Sequence, residues 1–256
     1  MNIAICFTGF LRSLSHIENI KHIYNIFPVG LQSVTIYYSC PNMIEENDTE
    51  PFDINYVLGL FKQHENENMK INIQFREYDR SKFLERAKQL DLPYITRTSY
   101  HSHRIMSCLN GFSETAKLIN VSDNYDFIIF TRLDIITHIK TISDVFDNKR
   151  ILKDEAYIWR TIPYISTGDK ANHVEDRFFI CSRECIDIIK SLYASLDKIN
   201  NLNVNLSTEQ ILGIAFNKCK HIQKYHLNNL QVYEIFNKYA QSRIGIKYTK
   251  EFLNIM

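Results

Sequence analysis

"YDFIIFTRLDI", residues 125–135, is the stretch on which the fold turns. From Tyr125 to Phe130 the run is apolar apart from Asp126, and then it stops abruptly at Thr131, Arg132 and Asp134. A strand covered by helices on both faces reads as a near-continuous hydrophobic run, and in open α/β sheets ligands gather just beyond the carboxyl ends of such strands. The polar tip at 131–134 is therefore where chemistry belongs.

Working outward, "NIAICFT" (2–8) is a second such run, closed by Gly9. It is followed by "SHIENIKHIYNIF" (15–27), in which Ile17, Ile20, Tyr24 and Phe27 recur at helical spacing. Ser15 and Glu18 fit a capping box at the start of that helix, so its free backbone N–H groups would point back toward the strand tip. "SVTIYYS" (33–39) reads as the next strand and "CPNMIEENDTEPFD" (40–53) as loop. "INYVLGLF" (54–61) reads as a short helix, "KINIQFREY" (70–78) as a strand and "SKFLERAKQL" (81–90) as a helix.

From His101 to Asn120, residues Ile105, Cys108, Leu109, Phe112, Ala116 and Ile119 mark one face of a long helix leading into the 125–135 strand. Beyond it come strands over 155–162 and 177–182, separated by the polar loop "STGDKANHVED" (166–176). Helices follow over 183–196 and 206–219, the second opened by a Ser207–Gln210 capping box. Residues 141–153 and the tail from 221 carry no clear pattern, and no repeat or low-complexity segment occurs. Strands alternating with helices predict an α/β fold with a mostly parallel, twisted sheet flanked by helices, the later strands pairing antiparallel.

With 256 residues the chain is long enough for a large core, and one compact domain over 1–256 is expected. Its 30 Lys and Arg balance 29 Asp and Glu to a net charge of +1, which argues against nucleic acid or an anionic membrane as partner. No window approaches 18 consecutive apolar residues, and "MNIAICFTGF" lacks the charged start of a signal peptide, so a soluble cytoplasmic protein without a transmembrane segment is expected. Six scattered cysteines with no C-x-x-C pair read as reduced, mostly buried thiols.

Three constellations can carry chemistry, the third being the acidic pair Glu175 and Asp176 in "HVEDRFFI" (173–180). In "TGFLRS" (8–13), Gly9 permits a tight turn or a close ligand approach, and Arg12 can offer a forked guanidinium to phosphate at a helix start. The alternative is a loop glycine beside a surface arginine. The stretch is neither G-x-G-x-x-G nor a P-loop, and its single glycine also disfavours a Rossmann-like methyltransferase. In "TRLDI", Asp134 can coordinate Mg²⁺ or Mn²⁺, while Arg132 can hold a phosphate oxygen or simply pair with Asp134. Neither H-E-x-x-H nor G-x-S-x-G occurs, which removes the usual zinc-hydrolase and esterase readings.

"ICFTGFLRS", the "YHSHRIMSCLNGFSETAKLI" helix, "YDFIIFTRLDI" and "VEDRFFICSRECIDII", in that order, resemble small glycosyltransferases of the A-type fold. Among these are enzymes of bacterial surface-polysaccharide clusters and of large DNA viruses, including the sugar-adding domains of chlorella viruses. The resemblance implies a Rossmann-like nucleotide-sugar-binding fold, with a nucleotide-binding part near 1–140 and an acceptor-binding part near 141–256. It further implies a nucleotide-sugar donor, a glycan or other hydroxyl acceptor, and a D-x-D-like motif holding Mn²⁺ or Mg²⁺. Carried over by position, Thr8, Gly9 and Arg12 line the nucleotide pocket, Arg104 approaches the donor and Asp134 holds the metal. Arg132 stands where the first carboxylate of a full D-x-D belongs, which loosens the need for an ion because a guanidinium can stabilise the same diphosphate charge.

In an inverting transfer a carboxylate deprotonates the acceptor hydroxyl. Asp176 is the first candidate for that base and Glu175 the alternate; an exposed acidic pair beside a strand is the plainer reading. Trp159, with Tyr157 and Tyr164, could stack on the apolar face of a sugar, and core packing explains Trp159 equally well. A nucleotide- or glycan-binding module without catalysis is the alternative function.

Overall fold

The computed structural model describes residues 2–9, 33–41, 54–63, 65–67, 70–79, 81–82, 85–86, 102–120, 122–132, 135–138, 155–158, 178–181, 183, 185–196, 208, 211–213, 215, 223–226 and 231–234. Nine strands and three helices lie within them. In chain order these are β1 (Asn2–Thr8), β2 (Ser33–Pro41), α1 (Ile54–Lys62), β3 (Lys70–Tyr78), α2 (Ser102–Leu118) and β4 (Phe127–Thr131). There follow β5 (Ile135–His138), β6 (Glu155–Ile158), β7 (Phe178–Cys181), α3 (Cys185–Ser191), β8 (Gln223–His226) and β9 (Gln231–Glu234).

Seven strands form one sheet in the order β3-β2-β1-β4-β7-β6-β8. β3, β2, β1 and β4 run parallel; β7 is antiparallel to both its neighbours, and β6 pairs parallel with β8. The fold is thus α/β with a mostly parallel, helix-flanked sheet, as the alternation of patterns predicts. β1 lies in its interior, beside the central strand β4: no residue from Ile3 to Thr8 is more than 1% exposed, so both of its faces are covered.

One face packs on α2 and α3. Ala4, Cys6, Tyr37, Ile128 and Phe130 form a core there with Met106, Leu109, Phe112, Cys185, Ile186 and Ile189. Phe112 reaches the Phe130 and Phe179 rings at 5.9 and 5.8 Å. On the other face the Phe7 ring meets Phe61 of α1 at 5.4 Å and the Tyr38 ring edge-on at 6.3 Å.

The 125–135 stretch divides in two. Its strand ends at Thr131, and Ile135–His138 begins β5, which pairs antiparallel with β9 in a separate two-stranded sheet. The strands expected over 155–162 and 177–182 appear as Glu155–Ile158 and Phe178–Cys181. The helix expected over 15–27 lies outside the described residues, and of the one expected over 81–90, residues 81–82 and 85–86 are helical. Among the described residues no helix is long and apolar enough to cross a membrane. Cys6, Cys40, Cys108, Cys181 and Cys185 are not joined in disulfides.

Candidate functional site

The parallel core brings its carboxyl tips level. Thr8 stands opposite Ser39, Ser39 opposite Arg76, and Phe7 opposite Thr131, so one further step sets Thr8 beside Arg132. From β1 the chain goes to β2 on one side, whereas from β3 it returns through α2 to β4 on the other. This reversal of strand order makes the gap between the tips of β1 and β4 the topological switch point, where α/β sheets open a crevice.

Gly9 opens that crevice. Its φ of +88° lies in the left-handed region, and a Cβ there would meet nothing within 4 Å among the described residues, so the backbone conformation is what calls for glycine. Tyr38 Oη donates to the Gly9 carbonyl at 3.3 Å and steadies the turn from the α1 side of the sheet. On β4, Thr131 is buried, Arg132 is half-buried, and Thr131 Oγ1 contacts the Arg132 carbonyl at 3.5 Å.

Helix α2 closes the other side. A Cβ on Gly111 would lie 3.6 Å from Thr8 Cβ, 3.7 Å from Gly9 N and 3.3 Å from Tyr78 Oη, so this glycine lets the helix seat on the tip of β1. One turn later Thr115 Oγ1 donates to the Phe7 carbonyl at 3.1 Å. Because the later helix residue meets the earlier strand residue, α2 runs antiparallel to β1. Its opening turns, Ser102 to Asn110, therefore project about 13 Å past the contact, at about 1.5 Å per residue. Tyr78 Oη donates to the Ser107 carbonyl at 3.1 Å and lies 3.3 Å from Ser107 Oγ. Below it Arg76 Nη1 meets Glu114 Oε2 at 2.6 Å, and Lys117 Nζ meets Glu114 Oε1 at 2.7 Å. Burial alone would raise the Glu114 carboxyl, but the two cations outweigh it and hold the group below its usual range.

Among the described residues, the buried hydroxyls of Thr8 and Ser39 have no hydrogen-bond partner. These two are register neighbours on the face toward α2, 1% and 0% exposed, and together form the floor beneath the switch point. Thiol chemistry is disfavoured at three of the cysteines: burial raises Cys6 and Cys181 well above the usual range and, against a hydrogen bond from Tyr38, pushes Cys40 up to about 12.

Of the residues marked by the sequence, Thr8, Gly9 and Arg132 are brought together at the switch point. Arg104 falls in the projecting turns of α2, seven residues before Gly111 and so on the same side of the helix. Arg12, Asp134, Trp159, Glu175 and Asp176 lie outside the described residues. Among the described residues no three His, Cys, Asp or Glu side chains converge as metal ligands. The described groups named at the tips of β1, β2 and β4 are neutral hydroxyls and a guanidinium, a set suited to an anion; a divalent cation there would need the Asp134 carboxylate.

Sequence reasoning missed Gly111, Tyr78 and Ser39. A glycine in the middle of a strongly periodic helix was the one available signal, since it is disfavoured there unless something approaches closely.

No family model matches the chain, and no curated protein matches it. Among solved structures, the chain is similar to apo mouse xyloside xylosyltransferase 1, at 10% identity and a TM-score of 0.42 over 87% of this chain and 83% of that one. It is also similar to the galactosyltransferase LgtC in complex with donor and acceptor sugar analogs, at 10% identity and a TM-score of 0.44 over 88% of this chain and 73% of that one. At this identity and these TM-scores the likeness assigns no function.

Proposed function

We propose that the chain is a glycosyltransferase of the A-type fold that moves a sugar from a nucleoside diphosphate donor to a glycan or other hydroxyl acceptor, with inversion. The observation that carries this reading is that Gly9, in a left-handed turn, and Arg132 follow the ends of the neighbouring parallel strands β1 and β4 at the switch point of the sheet. Backbone able to approach a ligand on one tip and a guanidinium on the next suit a diphosphate. The order of motifs along the chain supports the same reading.

In this mechanism Thr8, Gly9 and Arg12 form the nucleotide side of the crevice, and Arg132 and Arg104 face the diphosphate. Asp134, two residues beyond Arg132 in sequence, is the residue that would hold Mn²⁺ or Mg²⁺, which when bound neutralises charge on the departing diphosphate. Asp176, or Glu175 beside it, takes the proton of the acceptor hydroxyl. The acceptor oxygen then bonds to the anomeric carbon as the bond from that carbon to the diphosphate oxygen breaks, and the diphosphate carries off the electron pair. Trp159 stacks on the transferred or accepting sugar.

A thermal-shift screen of nucleotide sugars, with and without Mn²⁺, tests the reading. A true donor at 100 times its Kd should add about 2.7 kcal/mol to the apparent stability. Asp134→Ala should then abolish transfer while the far-UV spectrum stays native, and Asp176→Asn should slow transfer at least about 100-fold. Unchanged turnover in either variant removes that residue from the site. Arg132 in the first carboxylate position keeps a non-catalytic binding module as the second reading; donor binding with neither transfer nor hydrolysis would select it.

A further inference from the structure

We propose that Tyr78 is a positioning residue whose hydroxyl, lodged between Ser107 and Gly111, sets how the opening turns of α2 stand over the switch point and so tunes the grip on the donor's diphosphate. The proposal rests on the donor reading above and adds a residue that no motif marks. Tyr78 ends β3 opposite Pro41, two steps beyond the level of Thr8, Ser39 and Arg76. Like Arg76, two residues earlier on the same strand, it belongs to the face toward α2.

Two contacts meet at its oxygen. The hydrogen bond to the Ser107 carbonyl at 3.1 Å draws the helix in. The same oxygen would lie 3.3 Å from a Cβ at Gly111, so any side chain there would push the helix out. Together they set the height of the helix at the very turn that touches Thr8 and Gly9.

Tyr78 also packs against the core to which Met106, Leu109, Phe112 and Ala116 of α2 belong. Glycine is unfavourable in a helix interior, and the close approach of Tyr78 Oη is what accounts for it at 111. Arg104 is the single Lys or Arg among Ser102 to Asn110, so moving these turns moves the one permanent cation they carry.

The test measures dissociation constants of UDP, GDP, CDP and ADP, and of the four parent nucleosides, for the full chain and for Tyr78→Phe, Gly111→Ala and the double variant, with Tm recorded for each. Tyr78→Phe should weaken the best diphosphate about two- to tenfold, the range of one hydrogen bond, and leave its nucleoside unchanged. Gly111→Ala should weaken the diphosphate, because the new methyl presses on the Tyr78 hydroxyl and shifts the helix. In the double variant the losses should not add, because the new methyl no longer meets a hydroxyl. Equal diphosphate affinity in Tyr78→Phe, equal losses for diphosphate and nucleoside, or additive losses would overturn the positioning role while leaving the donor reading intact. Failure of all four diphosphates to bind the wild type would overturn the donor reading and this proposal with it.

Discussion

Glu114 ties α2 to the sheet by charge. Its side chain is 17% exposed and takes both Arg76 and Lys117, and their attraction exceeds the penalty of burial. The folded carboxyl therefore titrates below the unfolded one, near about 4.3. Its contribution is complete above that unfolded value and is lost as pH falls through the folded one. Glu114→Gln should cost about 1 kcal/mol at pH 7, allowing for the partial exposure, and the difference from wild type should vanish in acid. Urea unfolding at pH 7 and at low pH checks this; a difference that persists in acid would mean that charge is not the cause. A second residue, Thr8, carries a sealed hydroxyl without a partner among the described residues, so Thr8→Val should raise stability by about 1 kcal/mol, read as a higher urea midpoint. A lower midpoint would show that the hydroxyl is satisfied. Gly9 and Arg132 were legible because glycine and arginine are unusual residues at the end of an apolar run. Tyr78 and Ser39 were not, because their roles come from what lies across the sheet or under the helix, and sequence neighbours carry no trace of that; Gly111 left only the trace of a glycine inside a periodic helix.

Elements followed their patterns where the pattern was long. β1 and β2 bury both faces, so their apolar runs are nearly unbroken, and α2 spans 17 residues, enough for its stripe to repeat. β5, β8 and β9 hold four residues each, "IITH", "QKYH" and "QVYE", too short and too polar to announce a period, and β5 pairs with β9 far along the chain. Contacts between helices are equally hidden. Ser113 sits 1% exposed in α2, where its Oγ donates to the Ile189 carbonyl at 3.1 Å and accepts from the Tyr193 N–H at 3.1 Å. One hydroxyl thus joins α2 to the end of α3. Ile189 O also accepts from Leu192 N, so removing the hydroxyl chiefly strands the Tyr193 N–H. Ser113→Ala should destabilise by about 1–3 kcal/mol, the cost of one buried unsatisfied donor. A shift in the urea midpoint worth under about 0.5 kcal/mol, the ordinary effect of a surface substitution, would mean that the tie is replaced in solution.

The two sheets should also differ in how firmly they hold. β1 is covered on both faces and paired on both edges, so its amides open only with the whole core. β5 and β9 make a sheet of two four-residue strands, a unit with marginal stability by itself. The switch point belongs to the firm part, as a site built on strand tips requires if its groups are to be held ready for a ligand. In sequence Asp134 falls at the seam, between Arg132, which follows β4, and Ile135, the first residue of β5, so the ligand proposed for it would couple the two sheets. Amide hydrogen exchange followed by mass spectrometry should place peptides from β1, β2 and β4 in the slowest class and those covering β5 and β9 in a faster one. Adding Mn²⁺ with a nucleoside diphosphate should slow β5 and leave β8, at the far edge of the large sheet, unchanged. If β5 already exchanges as slowly as β1 in the free protein, the two sheets open as one unit, and the seam cannot serve as the place where a ligand orders the chain.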